Sequence, residues 1–375
     1  MSSAPASGAR SIAPILSAPQ HGPRPLPLFL SLLWSETAED PDLRRRAFAG
    51  LRRFQTAPRA PEPDPPKNVA RHDRAALLTR DRGAQTSALV ARERAPVILV
   101  PSLINPPNVL DLTERRSLLR FLLHQGHDTC LLDWGTPTQA DGPSDLADHI
   151  ETLLLPLLER FDRPPLLVGY CLGGTLAIGA AARLAALGRP VAGVATIAAP
   201  WDFARYEKSF REKLAATWDQ SKAACETLGL VPMEVFQTGF WSLDPRRTIA
   251  KYAAFGEMEE GTPAYHGFIA LEDWANEGAP LTFAAGRDLA ERCYATNITG
   301  SGQWTIQGTP VDPLALGCPT LAIASTSDRI VPAATTPPAM ERIDLALGHV
   351  GMMIGSRAEE SLWRGLSDWL SRCGG

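Results

Sequence analysis

From residue 97 onward the chain alternates short, wholly apolar runs with longer amphipathic stretches. Val97-Ile98-Leu99-Val100 predicts a strand, Arg115 to Gln125 a helix and Asp128 to Asp133 another strand. Asp145 to Arg160 predicts a helix, Pro165 to Val168 a strand, residues 172–187 an alanine-rich helix and Pro190 to Ala198 a strand. Continuous apolar strands separated by helices belong to a parallel sheet covered on both faces, because neither face of such a strand meets water. The rhythm breaks between Pro200 and about Gly317, where the chain is Trp-rich and irregularly helical. It resumes with strands at Pro319–Ala324 and Arg342–Leu347 and a last helix, Ala358–Arg372. The pattern predicts an α/β domain over 67–375, with a mostly parallel sheet and a helical cap inserted at 200–317, after strand six.

Residues 1–66 read as an N-terminal extension. Positions 1–25 are low in order-promoting residues, and 57–66 form a proline-rich linker of extended character. Between them, Leu26 to Trp34 is apolar and reads better as a helix packed on the core than as a short amphipathic anchor. No A-x-A-like site follows it, which argues against a secretory signal. Asp40 to Gln55 is charged and helix-like, with Arg44-Arg45-Arg46 and Arg52-Arg53 expected on a solvated face.

Composition narrows the function classes. At 375 residues and 45% hydrophobic the chain can bury a large core, and a net charge of −4 gives no field for nucleic acid. No run of eighteen apolar residues suggests a transmembrane helix. The six cysteines are scattered, with no C-x-x-C pair and no metal-ligand spacing with histidine, so no metal site is expected. A cytoplasmic location fits these features.

The chemistry concentrates at Gly169-Tyr170-Cys171-Leu172-Gly173, a G-x-C-x-G box between a predicted strand and a predicted helix. That is the context of the nucleophile elbow of the α/β-hydrolase fold, in which flanking glycines leave room for a sharp turn. Cysteine stands where serine is usual. Acyl transfer from one thioester to another is close to thermoneutral, so a Cys elbow suits exchange between thioesters and alcohols. An elbow calls for an acid and then a histidine in chain order. Asp328 follows strand 319–324, and His349 follows the final strand; the other six histidines precede the domain or lie in its early helices or cap. Asp202, after strand six, is the rival acid. His349 would serve as general base and Asp328 would orient it. Backbone N–H groups of Leu172 and of Leu103 or Ile104 would hold the oxyanion. Among the cap aromatics (Trp201, Trp218, Trp241, Trp274, Trp304 and neighbouring phenylalanines) most are expected in the cap's own core. Some are expected to roof Cys171, leaving it largely buried in a pocket with a narrow entrance.

Taken together, Val100-Pro101-Ser102-Leu103-Ile104-Asn105, Val109-Leu110-Asp111-Leu112, Gly126-His127-Asp128, Leu132-Asp133-Trp134-Gly135, the Cys171 box, Asp328 with Ile330-Val331-Pro332, and Gly348-His349 resemble the polyhydroxyalkanoate synthases. Leu271-Glu272-Asp273-Trp274 and the short length look nearest to the class III catalytic subunit. The resemblance implies a Cys171–His349–Asp328 triad, 3-hydroxyacyl-CoA (such as 3-hydroxybutyryl-CoA) as substrate, and a growing polyester chain or granule as product. CoA enters only as part of substrate and product, with no separate cofactor. It also implies a homodimer through the cap and a second, non-catalytic subunit. The chain departs from the family's common pattern at Arg329, where histidine usually follows the acid. The same triad would also suit an acyl-CoA thioesterase or an intracellular polyester depolymerase.

Overall fold

A computed structural model describes residues 21–59, 64–81 and 94–374. At its centre lies an eight-stranded sheet: β1 (Lys67–His72), β2 (Ala75–Thr79), β3 (Val97–Val100), β4 (Thr129–Asp133), β5 (Leu166–Tyr170), β6 (Gly193–Ile197), β7 (Thr320–Ser325) and β8 (Glu341–Leu345). Their order is β1-β2-β4-β3-β5-β6-β7-β8, and only β2 runs against the others. The helices that position the site are α1 (Leu26–Glu36), α2 (Pro41–Thr56), α3 (Leu118–His124), α4 (Leu172–Ala186), α5 (Lys208–Leu228), α6 (Met233–Leu243), α7 (Pro245–Gly256), α8 (Pro263–Asn276) and α9 (Arg364–Cys373).

The apolar runs form strands because both faces of the sheet are covered. Ile98, Val100, Leu167 and Val194 pack with Leu176 and Ala180 of α4 on one face. The alternate residues Val97, Leu99, Val168 and Ile197 pack with α3 and with Leu366, Trp369 and Leu370 of α9 on the other. This period of two sends successive side chains into opposite cores. Each fully buried aliphatic side chain contributes roughly 1.5–3 kcal/mol.

Two features differ from the sequence reading. The β1–β2 hairpin was not expected, because β1 is a largely exposed edge strand carrying Lys67, Asn68, Arg71 and His72 rather than an apolar run. The arginines of α2 are also not simply solvated. Arg53 donates to the carbonyls of Phe255 (3.1 Å) and Gly256 (2.8 Å) at the end of α7, where cations meet the negative end of the helix. Gly50 allows this approach, since a Cβ there would lie 1.7 Å from the Tyr252 carbonyl oxygen. Phe29 and Leu33 of α1 and Phe54 of α2 join Trp241, Tyr252, Phe255 and Ile269 in a third core shared with the cap helices. The apolar stretch 26–34 is thus a packed helix. Residues 1–20 and 60–63 of the low-order start and the proline-rich segment lie outside the described residues. Among the described residues no helix is long and apolar enough to cross a membrane.

Candidate active site

Cys171 is the one residue between β5 and α4. Its backbone adopts φ +55°, ψ −133°, a region that costs a residue with a side chain on the order of 1–3 kcal/mol. The surroundings enforce it. The Cys171 N–H donates to the Ile197 carbonyl, and its own carbonyl accepts from the Gly174 N–H, both at 2.9 Å. The flanking glycines are required by space: a Cβ on Gly169 would lie 2.3 Å from Gly174 Cα, and one on Gly173 would lie 2.1 Å from Val100 O. The second contact presses the start of α4 against the end of β3, so the loop that follows β3 lies beside the elbow.

Asp328 and His349 are brought to this point from the loops after β7 and β8. The His349 Nδ1–H donates to Asp328 Oδ2 at 2.6 Å, while Asp328 Oδ1 accepts the N–H groups of Ile330 (2.8 Å) and Val331 (3.0 Å). Both side chains are buried. The Cys171 sulfur also acts on the His349 imidazole. Burial works against charge on the imidazole, but the Asp328 carboxylate and the Cys171 sulfur outweigh it and raise the His349 pKa from 6.5 to about 10. Asp202 is engaged elsewhere. Its carboxylate accepts from Asn297 Nδ2 at 2.8 Å and Arg205 Nε at 3.0 Å.

Of the expected oxyanion donors, Leu172 is the first residue of α4, where N–H groups have no partner within the helix. The Ile104 N–H is already committed to Ser102 Oγ at 3.2 Å. This leaves Leu103 as the better of the two alternatives on the β3 loop. The sequence motifs brace that loop. The Trp134 indole donates to the Pro101 carbonyl at 3.0 Å, and the Trp274 indole of α8 donates to the Pro106 carbonyl at 2.9 Å. Asp111, buried, accepts from Arg80 Nε (2.6 Å) and Ser117 Oγ (2.7 Å). His127 is buried against Ser367 Oγ at 2.9 Å, and its pKa falls to about 4 through desolvation, with Arg94 acting in the same direction. It is a neutral structural histidine.

Cys171 is half-buried. Of the cap rings, Trp241, Phe255 and Phe268 pack with α1 and α2, Trp304 lies against α4 beside Gly179, and Trp274 of α8 belongs to the core against which Cys171 packs. Arg329, the departure beside the acid, points out to Asp244 of the cap at 2.8 Å.

Three buried tyrosines, one of them packed on the site, were missed in the sequence. The Tyr170 ring lies on the His349 ring at a centroid distance of 5.1 Å, and its hydroxyl donates to the His349 carbonyl at 3.4 Å. Its place inside the G-x-C-x-G box was the only available signal. Tyr206 and Tyr294 join the buried cluster that contains Leu172 and Ile104, and nothing local marked them. A cleft of about 930 Å³ opens beside Trp201, Asp202 and Arg342, but none of the three triad residues lines it.

The sheet order, the strained cysteine turn and the acid–histidine pair define a hydrolase-type fold and site. A family model described as alpha/beta hydrolase fold matches residues 95–349, from just before β3 to His349, and the chain belongs to that family. Within it, the chain is similar to the poly(3-hydroxyalkanoate) polymerase subunit PhaC of Haloferax mediterranei, at 28% identity over 299 residues, covering 74% of this chain and 58% of that one. It is 27% identical over 326 residues to the PhaC subunit of Thiocystis violacea, covering 82% and 88%. The chain therefore spans little more than half of the haloarchaeal relative and most of the Thiocystis one. Among solved structures, a lipase-like protein from Sulfolobus solfataricus is 12% identical with a TM-score of 0.48, covering 84% of this chain and 98% of that one.

Proposed function

We propose that this chain is an acyltransferase that polymerises 3-hydroxyacyl-CoA into polyhydroxyalkanoate through an acyl-thioester on Cys171. The observation that carries this reading is a cysteine, not a serine, held in a strained elbow, together with a buried His349 that Asp328 orients and whose pKa the cysteine helps to raise. Similarity to the PhaC subunits supports the choice of substrate.

In the first step the Cys171 sulfur attacks the thioester carbonyl. The new C–S bond forms as the bond to CoA breaks, and His349 supplies the proton taken by the departing thiolate. The N–H groups of Leu172 and Leu103 hold the oxyanion, each donor contributing roughly 2.7–4 kcal/mol to the transition state. In the second step a hydroxyl attacks the acyl-cysteine, His349 accepts its proton, and Cys171 leaves as the ester forms. Acylation prepares that change of role. Two residues raise the His349 pKa, Asp328 and Cys171. Acylation removes the sulfur's charge, so the imidazole becomes a weaker acid holder and a freer base.

The reaction draws on no cofactor, since CoA is released with each unit. A homodimer formed through the cap, a second non-catalytic subunit, and a cytoplasmic location at polymer granules belong to the same reading; light scattering of the purified chain tests the dimer. The decisive experiment incubates the chain with 3-hydroxybutyryl-CoA and follows both CoA and acyl product. CoA release with insoluble polyester is expected. CoA release with only free 3-hydroxybutyrate would replace this reading with a thioesterase.

A further inference from the structure

Near the end of α8, three consecutive side chains tie three different parts of the chain together. The buried Glu272 accepts from the Tyr252 hydroxyl at 2.8 Å and pairs with Lys251 at 2.7 Å, both on α7. Asp273 takes the Arg59 guanidinium as a fork, Nε to Oδ2 at 2.9 Å and Nη2 to Oδ1 at 2.8 Å. The Trp274 indole donates to the Pro106 carbonyl on the loop after β3.

Arg59 acts as a junction. Its remaining nitrogen, Nη1, donates to the carbonyls of Phe54 (2.6 Å) and Ala57 (2.8 Å), so one guanidinium closes the end of α2 and grips α8. The Arg59 and Asp273 side chains are only 21% and 20% exposed, so water and salt screen the fork less than an open surface pair. A second tie runs beside it, from the Arg24 N–H to Asn276 Oδ1 at 3.0 Å. The chain that precedes the sheet therefore fixes the last turn of α8 at two points.

That turn bears on the loop beside the elbow. Besides the Trp274 bond, a Cβ on Gly278 would lie 3.1 Å from the Ile104 carbonyl oxygen, so the chain just beyond α8 also lies against the loop. Residues 101–106 are held at one end by Trp134 on Pro101 and at the other by Trp274 on Pro106. Leu103, the oxyanion donor assigned to this loop, lies between the two anchors. A backbone donor stabilises an oxyanion only while it is held in place, and a misplacement of about 1 Å can cost about 100-fold in rate.

We propose that Arg59 is a positioning residue for acylation of Cys171: through Asp273 it holds α8 so that Trp274 keeps the β3 loop and its N–H donor against the elbow. The assignment rests on the acyl-cysteine step of the acyltransferase reading, and not on which thioester supplies the acyl group.

The test compares two reactions of Cys171 in the full chain. Acylation by p-nitrophenyl acetate, read as p-nitrophenol release, passes through an oxyanion; alkylation by iodoacetamide, read by peptide mass, displaces iodide and forms none. Arg59→Lys keeps the charge but cannot make the fork and the carbonyl bonds together. Asp273→Asn removes the charge the fork binds, and Trp274→Phe keeps an aromatic ring without the donor. In each variant that keeps its fold by circular dichroism, maximal acylation should slow by roughly 10- to 100-fold, with alkylation within about twofold of the unmodified chain. Combining Arg59→Lys with Trp274→Phe should add little to the larger single loss, because residues in one chain of contacts are not additive. Acylation that stays near the unmodified rate, equal slowing of both reactions, or loss of the fold in all three variants would overturn the assignment. If 3-hydroxybutyryl-CoA leaves Cys171 unacylated where p-nitrophenyl acetate acylates it, the acyltransferase reading falls and the role of Arg59 stands. If neither reagent acylates the unmodified chain, both fall.

Discussion

Replacing Asp328 with asparagine removes one charge and almost no volume. The Ile330 and Val331 N–H groups occupy Asp328 Oδ1 at 2.8 and 3.0 Å, so asparagine must keep its carbonyl oxygen there. Its NH2 group then faces His349 Nδ1, where the carboxylate now sits 2.6 Å away. Two donors would meet unless the imidazole moved its proton to Nε2, on the side of Cys171, where it could no longer accept one. The electrostatic loss can be scaled. Two unit charges about 4 Å apart in an effective dielectric of about 20 attract by about 4 kcal/mol, or about 3 pH units at 1.36 kcal/mol each. That matches the rise of His349 from 6.5 to about 10, to which Cys171 adds and from which burial subtracts. The variant's His349 should therefore titrate about 3 units lower. The sign follows for stability. A raised histidine pKa stabilises the folded chain fully below the unfolded value of 6.5, and the contribution is lost as pH rises through about 10. Asp328→Asn should lose that dependence and drop single-turnover CoA release by roughly 10³- to 10⁴-fold. NMR titration of the histidine ring, run beside CoA release across the same pH range, checks both. An unmoved His349 titration, or activity within tenfold of the original, would refute the electrostatic account.

Cys171→Ala should abolish CoA release with the fold intact by circular dichroism, and Cys171→Ser should retain little activity, because an alkoxide is far harder to generate than a thiolate. Gly173→Ala puts a methyl 2.1 Å from Val100 O, a backbone atom that cannot yield; it should cost about 3 kcal/mol in chemical denaturation. Arg329→Ala breaks an exposed pair with Asp244, so it should change stability by less than about 1 kcal/mol and leave CoA release within a few fold. A large loss of activity there would show that Arg329 reaches the reacting groups after all.

The site was legible where its physics is local. The elbow needs glycines that can be read residue by residue, and the histidine follows the last apolar strand, so Cys171 and His349 could be named from spacing, while Asp328 kept Asp202 as a rival until the His349 contact separated them. The strands β3, β5, β6 and β7 were visible because burial on both faces makes them uniformly apolar. The hairpin β1–β2 was not, because an edge strand that faces solvent carries no such signature. Contacts between distant segments were equally hidden. Nothing in Arg53 announces that it caps α7, and nothing in Tyr206 announces Tyr294 beside it. The commitment of the Ile104 N–H depends on a serine rotamer that spacing does not set.

A half-buried rather than sealed elbow bears on how product choice is explained. Had the cap sealed Cys171, exclusion of water would have been enough to let an acyl-thioester wait for an alcohol. Several cap aromatics instead bind α1 and α2 or pack beneath α4, Trp274 lies in the core against which Cys171 packs, and Cys171 itself is half-buried. In the proposed reaction, polymer must then win by positioning rather than by burial. An alcohol oxygen held beside His349 at high effective concentration outruns water that is merely present, by the same entropy that makes oriented intramolecular reactions fast. The selection therefore falls to the groups that hold the acyl unit and its acceptor in place. A change that loosens their grip, without opening the cap further, should shift product from polyester toward free acid.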